Sequence, residues 1–80
     1  MATFDVPVVV MPKAEILDPQ GKAVEGALAS LGYDGVRSAR VGKLVRLQID
    51  ASGPDAARAA AAEMARALLA NPVTEDFTVL

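Results

Sequence analysis

The sequence predicts a small α+β domain in which an antiparallel sheet carries two helices on one face. Alternating, valine-rich segments typical of half-buried strands lie near both ends of the chain and in its middle. Two segments with helical spacing separate them, and each begins with a proline-containing start signal. The predicted order is β-α-β-β-α-β, which is typical of a two-layer sandwich.

The first strand is predicted over residues 3–11, where apolar side chains alternate. Its buried face would carry Phe4, Val6, Val8 and Val10. Pro7 has no N–H, so the strand at that point must lie at an edge, form a bulge or face a gap in the ladder. We interpret the apolar residues of the opposite face as a subunit interface, and misassigned strand faces are the alternative. These residues are Val9, Met11, Leu44 and Leu80.

The first helix is predicted over residues 19–31. Asp18 is a favourable N-cap, and Pro19 fits the first helical position. Gly32 can adopt left-handed angles after the last turn, which lets Tyr33 pack back on the helix in a Schellman motif. The apolar helical face carries Val24, Ala27, Leu28 and Leu31.

Two further strands are predicted over residues 35–41 and 44–50. They would be joined by Gly42 and Lys43, because a two-residue turn beginning with glycine suits a type II′ hairpin. In the second of these strands Val45, Leu47 and Ile49 alternate with more polar residues, so the hairpin would have one apolar face.

The second helix begins after Ser52 or Gly53 and ends before Asn71 and Pro72. Alanine dominates this segment, which favours the helix and would let it pack closely on its neighbours. Its predicted buried stripe consists of Ala57, Ala60, Ala61, Met64 and Leu68. A last strand over residues 74–80 completes the sheet.

Length and composition limit the chain to a single domain over residues 1–80. A domain of this size buries only about 60% of the surface that its unfolded chain exposes. The chain has no cysteine or histidine for disulfides or a metal site, so we expect oligomerisation to stabilise it. The absence of cysteine fits a cytoplasmic location, and we expect no signal peptide and no membrane contact.

Charge and aromatic content argue against a nucleic-acid partner. The formal net charge is -2, whereas phosphate binding needs a clustered basic face. Two phenylalanines and one tyrosine are too few for a base-stacking platform.

Catalytic chemistry has little support in the sequence. Without histidine and cysteine the usual nucleophile and general-base arrangements are excluded. Five acidic residues lie at predicted element ends or turns, where capping and solubility explain them: Asp18, Asp50, Asp55, Glu75 and Asp76. The glycines match no phosphate-binding loop.

Two features have both a structural and a functional interpretation. Arg40 and Lys43 flank the predicted Gly42 turn, where they either protect a sheet edge or contact an anion or a partner. Gly21 weakens the first helix by about 1 kcal/mol relative to alanine. It indicates either the close approach of another backbone or simple tolerance of glycine.

Four motifs, in this order, resemble those of one known family. They are DPQGKAVEGAL at residues 18–28, LGY at 31–33, RVGK at 40–43 and LLANPV at 68–73. With them the sequence is similar nearly end to end to the PurS family, the small subunit of formylglycinamide ribonucleotide amidotransferase, also called phosphoribosylformylglycinamidine synthase. The alanine-rich second helix is a departure, because relatives are expected to carry more charge there.

The resemblance implies a subunit without catalytic residues in an ATP-dependent amidotransferase complex of purine biosynthesis. In that family the glutaminase PurQ releases ammonia, while the synthetase PurL binds ATP, magnesium and substrate. PurS joins the two as a homodimer or homotetramer and supports ammonia transfer. ATP-binding and nucleotide-binding would therefore describe the complex, and no cofactor is expected in this chain.

The matching motifs also supply candidate partner contacts. These are Asp18, Gln20, Gly21, Lys22, Tyr33, Arg40, Gly42, Lys43 and Asn71. The alternative function is a regulatory module of ferredoxin-like order that resembles ACT domains and binds a small molecule at a subunit interface.

Overall fold

The computed structural model describes all of residues 1–80, which form three strands and two helices. In chain order these are β1 (Ala2–Pro12), α1 (Pro19–Ser30), β2 (Lys43–Ala51), α2 (Pro54–Met64) and β3 (Glu75–Val79). A π-helical turn (Ala65–Leu69) continues α2. The predicted α+β class with an antiparallel sheet is confirmed.

The sheet has the order β2-β1-β3, and both strand pairs are antiparallel. Val8, near the middle of β1, pairs with Val45 on one side and with Val79 on the other. The longest strand is therefore central, and the free edges of the sheet belong to β2 and β3.

Pro7 lies in this central strand, where a missing N–H would normally break the ladder. Its carbonyl accepts from the Leu80 N–H (3.0 Å), so its nitrogen faces the very end of β3. The Leu80 carbonyl accepts instead from the Arg58 guanidinium of α2. Of the three predicted settings for this proline, the gap in the ladder is the one found.

The core is formed where α2 crosses the sheet. Val6, Val8 and Val10 on one face of β1 are buried, as the alternation predicted. Ala57 and Ala61, both completely buried, face them from α2. Because alanine adds only a methyl group, the helix backbone can approach the valines closely.

The predicted strand over residues 35–41 does not form, so the hairpin around Gly42 and Lys43 and the β-β step of the predicted order were wrong. Residues 36–42 are irregular, and β2 pairs directly with β1. The backbone N–H groups of Ala39 and Val41 donate to side-chain carboxylates of α1 and its N-cap, which removes them from any strand ladder.

The prediction of two helices on one sheet face was also wrong, because only α2 packs across the sheet. Gly21 is the single buried residue of α1. Leu31 keeps 74% of its surface exposed and Val24 keeps 40%, although both belong to the predicted apolar face. In this chain that face has no sheet beneath it.

The buried stripe of α2 follows its prediction only in its first half. Met64 and Leu68 are exposed, whereas Ala65 is completely buried. The Ala70 N–H reaches back five residues to the Ala65 carbonyl (3.0 Å), which marks a π turn. One extra residue in that turn shifts the helical phase, so a 3.6-residue period fails beyond it, where Ala70 is buried instead of Leu68. Met64 precedes the turn and is exposed because the buried positions before it are spaced by four residues.

Helix α1 and the return segment, residues 31–42, project from one end of the sheet, and together we call them the arm. The molecule measures 51 × 25 × 14 Å. Its radius of gyration is 16.1 Å, whereas a compact chain of this length would have about 12 Å. The arm therefore extends away from the core.

Candidate functional site

The base of the arm is held by Asp18, the N-cap of α1. Its Oδ1 accepts from the Gly21 N–H (3.0 Å), which is the predicted cap. Its Oδ2 accepts from the Val41 N–H (2.7 Å) of the return segment. These two donors, Val41 first, hold the pKa of the Asp18 carboxyl below its ordinary value. One buried carboxylate thus joins both ends of the arm.

Two neighbours of Val41 in the return segment reinforce this connection. The Ala39 N–H donates to Oε2 of Glu25 (2.9 Å). Glu25 lies on α1, seven residues after its N-cap Asp18. The Arg40 guanidinium points elsewhere and donates to the carbonyls of Lys13 (2.6 Å) and Ile16 (3.1 Å), which precede α1. We call these contacts, made by Asp18, Glu25, Ala39, Arg40 and Val41, the clamp.

Two glycines allow chain segments to approach closely at the base of the arm. A Cβ on Gly21 would overlap the Ala39 carbonyl oxygen and the Asp18 carboxylate. A Cβ on Gly42 would overlap the backbone of Val10 and the side chain of Met11. Of the two interpretations of Gly21, close approach of another backbone segment is the one found.

The nine predicted contact residues therefore divide into separate groups. Asp18, Gly21, Arg40 and Gly42 come together at the base of the arm and are occupied by contacts within the chain. Exposed residues nearby are Gln20, Lys22 and Lys43; the Lys22 ammonium lies 3.6 Å from Glu25. Tyr33 and Asn71 lie outside the clamp.

Tyr33 lies at the far end of α1, which is about 18 Å long at 1.5 Å per residue. Gly32 has a φ of 94°, and the Tyr33 N–H bonds to the Leu28 carbonyl (3.0 Å). The predicted Schellman motif is therefore confirmed, while the tyrosine side chain stays 61% exposed. Asn71 caps the turn before β3, where its Oδ1 accepts from the Val73 N–H (2.9 Å).

Sequence reasoning missed Glu25 and Lys13. Glu25 follows Asp18 by seven residues, or two helical turns, and that spacing already placed both carboxylates on one face. Lys13 connects the base of the arm to β3, because its N–H donates to the Thr74 carbonyl (2.9 Å) and its ammonium to Asp76 (2.6 Å). The hydrogen bond to Asp76 raises the pKa of Lys13.

An open cavity of about 530 Å³ lies beside this ion pair. Arg66 lies over the ring of Phe77, 5.9 Å from its centre, and forms one wall. The lining contains charges of both signs and no nucleophile paired with a base. No group of three or more acidic residues could hold a metal ion. No helix is both long and apolar enough to cross a membrane.

Fold and site together define a small α+β binding subunit: its polar motif residues brace a projecting arm, and its apolar surface has no partner within the chain. Comparison with known proteins identifies the family. Residues 5–80 match the model of the PurS family, described as phosphoribosylformylglycinamidine (FGAM) synthase. The chain belongs to the PurS family, as its motifs indicated.

Curated relatives carry the same name, phosphoribosylformylglycinamidine synthase subunit PurS. The Mycobacterium leprae protein is 50% identical over 70 residues, which cover 88% of this chain and 85% of the relative. The Bacillus subtilis protein is 43% identical over 74 residues, covering 92% and 87%.

Solved structures agree with the fold. Thermus thermophilus PurS superposes with a TM-score of 0.87 at 40% identity, covering 96% of this chain and 90% of that one. A chain in the structure of PurLQS from Thermotoga maritima superposes with a TM-score of 0.90 at 28% identity, covering 100% and 98%. The arm is therefore part of a fold shared by these relatives.

Proposed function

We propose that this chain is the non-catalytic assembly subunit of phosphoribosylformylglycinamidine synthase in purine biosynthesis. It would join the glutaminase PurQ to the synthetase PurL and support ammonia transfer between them. The observation that carries this proposal is the end-to-end match to a chain of the Thermotoga maritima PurLQS structure. ATP and magnesium would bind to the synthetase, and the complex would work in the cytoplasm.

We propose in addition that the chain forms a homodimer or homotetramer. It exposes 5525 Å², whereas a compact monomer of this mass would expose about 4,600 Å². The excess of about 900 Å² is close to the roughly 800 Å² that each partner contributes to a standard interface. A surface of this size is large enough for a stable subunit contact.

The second copy itself is the occupant that we propose for the arm. Val45 and Leu47 of β2 remain partly exposed on the helix-bearing face, and Met64 of α2 is exposed as well. Each chain therefore has one open apolar strip and one amphipathic helix without a place to pack. Placing α1 of each copy on the strip of the other satisfies both requirements in a two-fold arrangement.

Mass measurement with a matched pair of variants tests this arrangement. Val24→Asp puts a charge on the apolar face of α1, whereas Ala29→Asp puts the same charge on another side of the same helix. Light scattering should give a dimer or tetramer for the unmodified chain and for Ala29→Asp, and a lower mass for Val24→Asp. A monomeric unmodified chain, or equal masses for the unmodified chain and both variants, would contradict the packing of each α1 on the other copy.

A mixing experiment tests the assembly function separately. Purified PurL and PurQ should elute from a sizing column as one complex with this chain and as separate proteins without it. If the two partners associate equally well in its absence, the chain does not join them.

A further inference from the structure

We propose that the clamp is a positioning device: it fixes the direction in which the arm leaves the sheet before any partner binds. This inference rests on the proposed assembly function and assigns a role to motif residues that sequence reasoning had placed at partner contacts. Asp18 is the central positioning residue, because it alone contacts both the start of α1 and the end of the return segment.

The clamp ties together three chain segments that would otherwise move separately. Residues 13–18 lead from β1 into the arm, α1 forms its length, and the return segment leads back to β2. The Ala39 N–H bonds to Glu25 of α1, and the Val41 N–H bonds to Asp18 at the end of the incoming segment. The Arg40 side chain between them bonds to carbonyls of that same incoming segment. Three consecutive residues thus bond to both neighbouring segments, two through backbone N–H groups and one through its side chain.

The helix cap alone does not explain these contacts. A serine or threonine would satisfy the Gly21 N–H equally well at an N-cap. Only the longer, forked carboxylate provides a second oxygen for the Val41 N–H. The absence of a side chain at Gly21 serves the same purpose, since a Cβ there would push the Ala39 carbonyl away.

The clamp also lies apart from the core, so the two can fail independently. The buried apolar cluster consists of residues from β1, β2 and α2 and from the segment immediately after α2, and none comes from the arm. Loosening the clamp should therefore free the arm while the sheet and α2 stay folded. A binding element that must be ordered on association binds less tightly than a preorganised one.

The test separates the cap from the clamp. Asp18→Ser retains a hydroxyl for the Gly21 N–H but cannot reach the Val41 N–H. Glu63→Gln removes one carboxylate charge from an exposed position on α2 and serves as the control. Each variant is titrated into PurL and PurQ, and glutamine-dependent product formation gives a half-saturating concentration and a plateau rate.

We expect Asp18→Ser to raise the half-saturating concentration about tenfold to a hundredfold, which corresponds to losing one hydrogen bond to a charged group. The plateau rate should not change, because a saturated complex holds the arm in place. Glu63→Gln should match the unmodified chain. A lower plateau with an unchanged half-saturating concentration would contradict a positioning role.

A distance measurement on the chain alone completes the test. Spin labels at Gly35→Cys, on the arm, and at Gln48→Cys, on the exposed side of β2, are measured with excess unlabelled chain so that only distances within one chain contribute. We expect one narrow distance distribution that Asp18→Ser broadens at a temperature at which circular dichroism shows the sheet and α2 still folded. Weaker titration without broadening would make Asp18 a direct partner contact and overturn the proposal. Broadening in a chain that never activates PurL and PurQ would leave the clamp standing and refute the assembly function instead.

Discussion

Val8 and Val9 are adjacent residues on opposite faces of β1, so truncating each in turn tests which face forms the core. Val8 is completely buried beneath α2, whereas Val9 is half-buried on the opposite face of the sheet, which no helix covers and which we call the open face. Val8→Ala removes two carbon atoms, worth about 1.6 kcal/mol in transfer free energy. The cavity that remains adds about 1 kcal/mol. We therefore expect a loss of about 2–3 kcal/mol in the free energy of unfolding.

Val9→Ala is the matched control, because it makes the same chemical change one residue away. Both substitutions remove the same β-branched residue from the same strand, so the difference in strand propensity cancels. On the half-exposed face we expect a loss of at most about 1 kcal/mol. In a domain of this size each 1 kcal/mol lowers the thermal midpoint by roughly 4–8 °C.

Urea and thermal unfolding, followed by circular dichroism, measure both losses. Several protein concentrations are needed, because association adds stability that depends on concentration. If the open face also contacts a second copy, the effect of Val9→Ala will grow with concentration. Equal losses at the lowest concentration, or a larger loss for Val9→Ala there, would refute the assignment of faces.

Further predictions concern the glycines and the ionised groups. Gly26→Ala, at an open position of α1, should stabilise the chain by up to about 1 kcal/mol in urea unfolding; Gly42→Ala should destabilise it, because its Cβ overlaps the backbone of β1. The pKa of Asp18 is lower in the folded chain than in the unfolded chain, so ionised Asp18 stabilises the fold. This stabilisation is complete above the pKa of the unfolded chain and is lost as the pH falls through the pKa of the folded chain. Unfolding from pH 7 to 2 should therefore show a smaller acid loss for Asp18→Ser. The pKa of Lys13 is higher in the folded chain than in the unfolded chain, so its charged form stabilises the fold at pH values below the pKa of the unfolded chain. This stabilisation is lost as the pH rises through the pKa of the folded chain, and neutralising Asp76 should remove that loss.

Local signals in the sequence predicted the elements that local interactions determine. The caps at Asp18 and Gly32 located both ends of α1, and alternation identified the buried face of β1. The return segment was mistaken for a strand because Gly42 was interpreted as a hairpin turn, whereas it allows the backbone to pass close to β1. Its N–H groups bond to Asp18 and Glu25, which lie 23 and 14 residues away in the chain. Spacing within the segment carries no information about such distant partners.

The position of α1 could not be predicted because a helical pattern shows an apolar face but not the surface that covers it. Val24 and Leu31 were assigned correctly to one face of α1, and that face is exposed in the single chain. The π turn after Met64 was hidden for a different reason. One additional residue per turn leaves no mark in an alanine-rich sequence, where neighbouring positions are nearly alike.

For the site, the motifs predicted which residues matter better than they predicted why. Asp18, Gly21 and Arg40 do come together in space, as their membership of shared motifs indicated. The side chains of Asp18 and Arg40 bond to other segments of the same chain, and the missing side chain of Gly21 makes room for one of them. A motif shows that a residue matters but not whether it contacts its own chain or a partner. Exposed Tyr33 and Lys43 stay predictions as partner contacts.

The most direct test of the assembly function is product formation by PurL and PurQ with and without this chain, using either glutamine or free ammonia as the nitrogen source. With the chain present, glutamine should support amidination at a rate that rises to a plateau. Without it, glutamine should fail while free ammonia still supports the synthetase, because only the connection between the two enzymes has been lost. Full glutamine-dependent activity in the absence of the chain would contradict the assembly function.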